Sequence, residues 1–270
     1  MPPANAMKTL EFVFDARLDF SGPVTDHQFT LRCIPANCRS QQLQSLRVTL
    51  LPETRLYRLR DGFGNEMLSG TLNGPHTQLH YRAQGTAVTD SRRREKADPG
   101  PASAVYRTPG LLTAPSPALR AYAAGLPLNG RSDRQKARLL CTAAGGRLRY
   151  APGTTTNATT AAQAFELCAG VCQDYTHVFL ALARLCGLTA RYCMGLTLGE
   201  GATHAWAEVL LPEGWVGFDP TRGCVAGEDY LRFAVGRDAA DCPAERGVFR
   251  GDAGQTQTVA MLLRERAGPL

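Results

Sequence analysis

The sequence has no run of about eighteen apolar residues, the length that a helix needs to cross a bilayer. Residues 1–8 also lack the apolar core of a signal peptide. We therefore expect no membrane segment and a cytoplasmic location, where the nine cysteines stay mostly reduced. The spacings of a calcium loop and of paired C-x-x-C zinc knuckles are also missing, which predicts no metal and no cofactor.

Basic residues outnumber acidic ones, which gives a formal charge of +6 and a pI near 8.9. The densest basic cluster lies in residues 92–96, where Glu95 interrupts it, and an acidic residue and a proline follow at 98–99. No aromatic residues interleave there, and no nucleic-acid-binding motif accompanies the cluster. We interpret it as a solvated linker and expect no nucleic-acid partner.

The hydrophobic pattern divides the 270 residues into two kinds of structure. Residues 10–88 alternate in short runs separated by Gly, Pro, Asn and Asp, which is typical of an antiparallel β-sandwich. Residues 89–109 are rich in charge, Pro, Gly and Ser and indicate a linker or exposed loop. Helical patterns then precede strands at 189–198, 204–211 and 215–219. This order predicts an α+β fold.

We therefore predict an N-terminal β-sandwich domain over 1–88, a linker over 89–109 and a second domain over 110–270. Within the second domain, Ser116, Ser132 and Thr160 are expected to cap helices, the last through a Thr160-x-x-Gln163 capping box. The apolar run of 258–263 is expected to add a strand to the sheet of this second domain.

Cys172 is the best candidate for a nucleophile. It follows a break at Cys168-Ala169-Gly170 and begins a helix whose apolar residues, from Val178 to Leu185, fall at helical spacing. The first turn of a buried helix offers free backbone N–H groups and the positive end of the helix dipole. Both favour the thiolate, which is the reactive form of cysteine.

A thiolate needs a base, and the base needs a group that orients it. His204 opens one predicted strand, and Asp219 closes the next one before Pro220. If the hairpin turn centres on residues 212–213, Trp206 faces Asp219 and His204 is its diagonal neighbour. A slip by two residues would place His204 opposite Asp219, whereas a slip by one would separate the two side chains.

Four strings occur in a characteristic order: GVCQDYTH (170–177), ARYCMG (190–195), HAWAEV (204–209) and GWVGFDPT (214–221). With them the chain resembles the bacterial transglutaminase-like group, within the papain-like arrangement. The turn DGFGN (61–65) is similar to one in the N-terminal β-domain of that group, and residues 236–251 resemble its C-terminal segment. Arg222 is a departure, because the family often has asparagine there.

The resemblance implies a papain-like or transglutaminase-like core, with helices packed on an antiparallel sheet. It also implies Cys172 as nucleophile, His204 as general base and acid, and Asp219 as the residue that orients His204. We expect thiol-dependent acyl transfer from peptide or protein amides, most simply as a cysteine protease or amidase. Cross-linking by a transglutaminase reaction remains an alternative, since the same triad chemistry serves hydrolysis and amine transfer. A catalytically silent peptide-binding module is a second alternative, against which the intact triad argues.

Several neighbouring residues have a structural as well as a functional interpretation. Gln173, Asp174, Tyr175 and Trp206 are candidates for supporting the triad or binding substrate, although Trp206 could equally be a packing aromatic. His177 does not share a helix face with Cys172, so packing is its expected role. Side chains of the types that bind zinc are present, but their spacing in the sequence is not that of a zinc site. The candidates for such a site are Cys168, Cys172, His177, Cys186 and His204.

Overall fold

The computed structural model describes residues 7–96 and 101–266. It shows an α+β fold in which an antiparallel β-domain precedes helices packed on a second antiparallel sheet, as predicted. The expectation that residues 1–8 carry no signal peptide falls mostly outside the described residues. Among the described residues, no helix combines the length and apolarity that crossing a membrane requires.

The strands of the N-terminal part are β1 (Met7–Leu31), β2 (Gln41–Leu51), β3 (Tyr57–Arg60), β4 (Glu66–Leu72) and β5 (His76–Asp90). The first half of β1 pairs with β5, and its second half pairs with β4, so one long strand connects the two sets of paired strands. Side chains in the first half of β1 alternate strictly between the core and the opposite face. The buried set is Leu10, Phe12, Phe14, Ala16, Leu18 and Phe20.

The helices are α1 (Pro117–Ala124), α2 (Asp133–Arg147), α3 (Ala161–Leu167) and α4 (Cys172–Leu185), with short 3₁₀ helices at Pro101–Arg107, Leu111–Thr113 and Ala239–Asp241. All three predicted caps are present: Ser116, Ser132 and Thr160 accept backbone N–H groups of the first turn. Helix α2 continues through the two glycines at 145–146 and ends at Arg147.

The remaining strands are β6 (Arg149–Tyr150), β7 (Ala169–Gly170), β8 (Ala190–Thr197), β9 (Gly199–Gly201), β10 (His204–Leu211), β11 (Gly214–Asp219), β12 (Cys224–Ala226), β13 (Tyr230–Gly236), β14 (Glu245–Arg250) and β15 (Gln255–Glu265). The second sheet has the order β12-β11-β10-β8-β13. Helix α4 packs on β8 and β10 of this sheet and is flanked by α1, α2 and α3. Its side chains from Val178 to Ala183 are all buried.

The end of the chain returns to the first sheet. Strand β15 pairs with β1 from Leu10↔Glu265 to Phe20↔Gln255, and β14 pairs with the second half of β1. The expectation that the 258–263 run joins the second sheet is therefore wrong. A strand pattern in sequence shows which face is buried but does not identify the partner strand. The domain boundaries at 88, 109 and 270 remain a prediction.

The described part of the 89–109 segment is held against the second sheet. Glu95 accepts hydrogen bonds from Arg191 and Arg232, and its carbonyl accepts the N–H of Trp215. Farther along, Arg107 donates to the Thr189 hydroxyl. Residues 189 and 191 lie at or next to the start of β8, whereas His204 pairs with Gly195 near the other end of that strand. Thr89 and Ser91 also donate to Glu228, two residues before Tyr230, so the described part of the segment contacts both ends of the sheet.

Gly145 allows α2 to approach the turn that follows β11. A Cβ at this position would lie 2.6 Å from the carbonyl oxygen of Pro220, the residue after Asp219. A Cβ at the next residue, Gly146, would meet no atom within 4 Å. The two adjacent helical glycines therefore differ in their contact with this turn.

We predict opposite effects of alanine at these two positions. Gly146→Ala should raise the free energy of unfolding by about 0.5–1 kcal/mol through helix propensity. Gly145→Ala should lower it by about 1–3 kcal/mol, because the added methyl overlaps backbone that has no room to move. Urea unfolding of both variants measures the difference. Equal stabilisation by the two substitutions would contradict the proposed contact.

Candidate active site

The chain presents Cys172 through a tight connection between α3 and α4. Cys168 ends α3 in the left-handed conformation with φ 52°, and the two residues of β7 follow. Val171 is extended and accepts the first hydrogen bond of α4 from the N–H of Asp174 at 2.9 Å. Cys172 is thus the first residue of the helix, where its own N–H precedes the helical hydrogen bonds. The expected break and helix start are both present.

The thiol of Cys172 lies against the start of β10. Its Sγ is 3.9 Å from the carbonyl oxygen of Thr203, the residue before His204. The interaction with the Cys172 side chain is one of the causes that raise the pKa of His204. Cys172 is only partly buried, so reagents in solvent can reach it. The structure therefore joins the N-terminus of α4 to the first residue of β10.

The β10–β11 hairpin has the first of the two registers considered from sequence. Leu211 pairs with Gly214 and Ala207 with Phe218. Continued by one residue, this register sets Trp206 opposite Asp219 and makes His204 the diagonal neighbour. His204 Nε2 donates a hydrogen bond of 2.7 Å to Asp219 Oδ2. The hairpin thereby brings imidazole and carboxylate together, although fifteen residues separate them in sequence.

Asp219 is completely buried, and each of its oxygens accepts two hydrogen bonds. Oδ1 accepts the N–H groups of Thr221 and Arg222 at 2.9 and 3.1 Å. Oδ2 accepts from His204 and also from the Tyr230 hydroxyl, at 2.7 and 2.8 Å. Burial alone would raise the pKa of Asp219, but these hydrogen bonds and the positive charge of His204 lower it below its ordinary value. The carboxyl group therefore remains ionised.

His204 holds its proton more tightly than an ordinary histidine. Burial lowers its pKa, but hydrogen bonds to Asp219 and Cys172, with the negative charge of those groups, outweigh burial and raise the pKa to about 9. At neutral pH the side chain is therefore an imidazolium between a carboxylate and a sulfur. This arrangement can stabilise a thiolate and can later give a proton to a leaving group.

Of the four residues predicted to support the triad or bind substrate, Asp174 and Tyr175 stabilise the local backbone. Asp174 Oδ2 accepts the N–H of Val171 at 2.8 Å and the hydroxyl of Thr155 at 2.7 Å, so it fixes the start of α4. Tyr175 is buried, and its hydroxyl donates to the carbonyl of Leu148 at 2.7 Å. Both side chains make hydrogen bonds within the protein, which indicates that they support the turn that carries Cys172.

The other two candidates lie on different sides of the triad. Gln173 donates to the carbonyl of Asn157 at 3.4 Å, in the loop before α3. Trp206 is only 2% exposed and lies behind His204, with nearly parallel rings whose centroids are 6.4 Å apart. Its buried position suits packing behind the imidazole and leaves no indole face for a substrate. His177 is also fully buried, and its Nε2 accepts the N–H of Ala239.

Sequence reasoning missed Tyr230 and the carbonyl of Thr203. Tyr230 begins β13, whose pairing with β8 (Tyr230↔Thr197) brings it to the His204 face. This pairing is nonlocal and contains an irregularity between Arg232 and Ala234, so alternation could not give its register. In the described part of the chain, no three His, Cys, Asp or Glu side chains group in a way that could hold a metal ion.

Comparison with known families matches two regions of the chain. Residues 120–220 match the transglutaminase-like superfamily, and residues 10–88 match the bacterial transglutaminase-like N-terminal region. The first region contains Cys172, His204 and Asp219. The second covers the strands β1 to β5 almost completely.

Relatives are found in mycobacteria and among solved structures. An uncharacterized protein of Mycobacterium leprae is 29% identical over 86% of this chain and 90% of its own length. One from Mycobacterium tuberculosis is 28% identical over 80% and 79%, respectively. A crystal structure from Cytophaga hutchinsonii, described provisionally as a cysteine protease, is 21% identical and covers 99% of this chain and 93% of its own, with a TM-score of 0.80. This structure shares the fold.

We predict that His204 controls the reactivity of Cys172. At about pH 7, where His204 is charged, His204→Ala should slow alkylation of Cys172 by iodoacetamide about tenfold, because the thiolate loses its cation. Mass spectrometry of the Cys172 peptide measures the rate. His80→Ala is a matched control, because His80 also contacts a carboxylate, Asp15, at 2.8 Å but belongs to β5 of the first sheet. Equal rates in wild type and His204→Ala would contradict the predicted contact.

The raised pKa of His204 also predicts a pH-dependent stability. Folded His204 binds its proton up to about pH 9, whereas the unfolded residue releases it near its ordinary value of 6.5. Its contribution to folding is therefore complete below about pH 6.5 and is lost as the pH rises through about 9. The difference in unfolding free energy between wild type and His204→Gln should shrink over this range. A difference independent of pH would show that the pKa is not raised.

Proposed function

Because the chain belongs to the transglutaminase-like superfamily and carries the bacterial transglutaminase-like N-terminal region, we propose that it is a thiol-dependent enzyme acting on amide bonds. Its substrates are peptides or proteins, and its reaction is acyl transfer through a thioester on Cys172. The observation that carries the proposal is the convergence of three side chains: Cys172 Sγ lies 3.9 Å from the carbonyl oxygen of Thr203, and the next residue, His204, donates to buried Asp219 at 2.7 Å.

In the first half of the reaction, the Cys172 thiolate attacks the amide carbonyl and forms a tetrahedral oxyanion. The backbone N–H of Cys172, at the start of α4, is placed to donate a hydrogen bond to this oxygen. The C–N bond then breaks, and His204 gives its proton to the departing amine. The products are a free amine and a thioester on Cys172, with a neutral imidazole.

In the second half, the neutral imidazole takes a proton from the acyl acceptor. With water as acceptor, the thioester yields a carboxylic acid, and the proton taken by His204 restores the imidazolium beside the Cys172 thiolate. With a primary amine as acceptor, a new amide forms instead. Asp219 keeps its charge throughout and holds Nε2 of His204, so that the other ring nitrogen faces sulfur.

Hydrolysis is the outcome that we propose, because water has access to the site. Cys172 is partly exposed, and buried Trp206 provides no wall on the open side. Where described, the 89–109 segment makes hydrogen bonds to Thr189, Arg191, Trp215, Glu228 and Arg232, but none to Cys172 or His204. Transfer to an amine requires that the thioester be shielded from water, which these observations do not favour.

We predict that Cys172→Ser lowers peptide cleavage at least about a thousandfold, since a hydroxyl replaces the thiolate. Cleavage of a fluorogenic peptide library is measured with and without methylamine, and products are identified by mass spectrometry. Cys168→Ser is the matched control, because it removes a partly buried thiol four residues earlier. Carboxylic acid as the main product in methylamine supports hydrolysis, whereas a methylamide as main product supports transfer.

Two other outcomes would contradict the enzyme proposal. Turnover that survives in Cys172→Ser would place the chemistry elsewhere in the protein. Peptides that bind to wild type with measurable affinity but are neither cleaved nor aminated would favour a binding module.

A further inference from the structure

Tyr230 shares a hydrogen-bond acceptor with His204. Its hydroxyl donates to Asp219 Oδ2 at 2.8 Å, and His204 Nε2 donates to the same atom at 2.7 Å. The other oxygen of Asp219 is taken by two backbone N–H groups of the following turn. The carboxylate therefore cannot rotate to offer His204 a second oxygen without losing both backbone hydrogen bonds.

The ring of Tyr230 is fixed by its surroundings. The side chain is buried, and its ring contacts Trp206 edge to face, with centroids 5.2 Å apart. Its centroid is 6.1 Å from that of His204. Packing thus fixes the ring, and the hydroxyl donates to Oδ2 because an ionised carboxylate can only accept a hydrogen bond.

We propose that Tyr230 is a positioning residue of the triad: by sharing Oδ2 with His204, its hydroxyl sets the strength and direction of the Asp219–His204 hydrogen bond. The inference rests on the proposed function of Cys172, His204 and Asp219. Tyr230 acts only through Asp219 and touches no reacting atom.

Titratable or charged side chains surround the Tyr230–Asp219–His204 group from α4, β8, β12 and the turn after β11. Cys172 faces His204 from α4, and Cys193 of β8 packs with Trp206 and Tyr230. Cys224 of β12 contacts the Tyr230 hydroxyl at 3.4 Å through Sγ. The Arg222 guanidinium, in the turn after β11, lies 5.9 Å from the Tyr230 ring and has its Nε 4.0 Å from Oδ2.

These surroundings keep the Tyr230 hydroxyl protonated. Burial, the contact with Cys224 and the charge of Asp219 all raise the pKa of Tyr230 well above its ordinary value. The hydroxyl therefore donates to Oδ2 at every pH at which the triad works. A constant donor lowers the negative charge that Oδ2 presents to the imidazolium.

Loss of this donor has a defined direction. Without the hydroxyl, Oδ2 presents more charge to His204, which then binds its proton more tightly. A more basic His204 is a weaker acid for the leaving amine, so the acylation step slows. Arg222 does not replace the donor, because its guanidinium already donates to the hydroxyl of Thr197 at 2.7 Å and lies farther from Oδ2.

The test is Tyr230→Phe, which removes only the hydroxyl. We expect kcat to fall about tenfold while KM stays within about twofold, because substrate contacts are unchanged. The upper limb of the pH profile for Cys172 alkylation, which follows loss of the His204 proton, should move up by about half a pH unit. Tyr81→Phe is the matched control, since Tyr81 is also buried and its hydroxyl has no hydrogen-bond partner among the described residues.

A double-mutant comparison separates positioning from packing. If Tyr230 acts through Asp219, Tyr230→Phe should have no further effect on kcat or on the alkylation limb in an Asp219→Asn background. The proposal would be overturned if Tyr230→Phe lowered kcat by the same factor with and without Asp219→Asn. It would also be overturned if the upper limb of the alkylation profile did not move in Tyr230→Phe alone. Thermal unfolding confirms that each variant is folded.

Failure of the proposed function can be recognised separately. The alkylation profile needs no substrate, so it reports the effect of Tyr230 on His204 even for an enzyme without a known peptide. If wild type cleaves no peptide but the limb still moves in Tyr230→Phe, the amide chemistry fails and the positioning role stands. If wild type cleaves peptides but the limb and kcat do not change in Tyr230→Phe, only the positioning role fails.

Discussion

The register of the β10–β11 hairpin is the constraint on which the site depends. With Ala207 opposite Phe218, the imidazole of His204 and the carboxylate of Asp219 lie on one face and meet at 2.7 Å. A shift by one residue would turn Asp219 to the opposite face, because side chains alternate along a strand. The turn after β11 then fixes the carboxylate through two N–H groups, and α2 approaches that turn through Gly145. Hairpin, turn and helix therefore act together on a single carboxylate.

Local signals in the sequence were sufficient for the elements that carry the triad. The capping box at Thr160 and the start of α4 at Cys172 follow from residues a few positions apart, and the hairpin was limited to two registers, both of which bring His204 and Asp219 to one face. Contacts between distant segments could not be predicted from such local signals. The pairing of β15 with β1 joins opposite ends of the chain, and Tyr230 reaches Asp219 only because β13 pairs with β8. The strand pattern of each segment is compatible with several partners, so tertiary packing makes the choice.

The first sheet holds the strand that begins with Tyr230. Asn65, in the turn predicted from sequence, makes two hydrogen bonds to the backbone of Val235, at 2.7 and 2.8 Å. Gln41 makes two more to the backbone of Arg232, both at 2.8 Å. Each amide side chain thus satisfies both a donor and an acceptor on β13, where buried backbone groups need partners. The N-terminal β-strands therefore fix the position of β13 next to the candidate active site.

One face of β10 carries two very different buried ionisable groups. His204 and Glu208 lie on the same face, with Trp206 between them. Burial would raise the pKa of Glu208, but Arg232 and Arg191 lower it, and Glu95 shares the same two guanidinium groups. The charge of Glu208 is thus matched within 2.6–2.9 Å by two cations. Because compensated charges attract distant groups weakly, Asp219 and Cys172 are left as the groups that control the proton on His204.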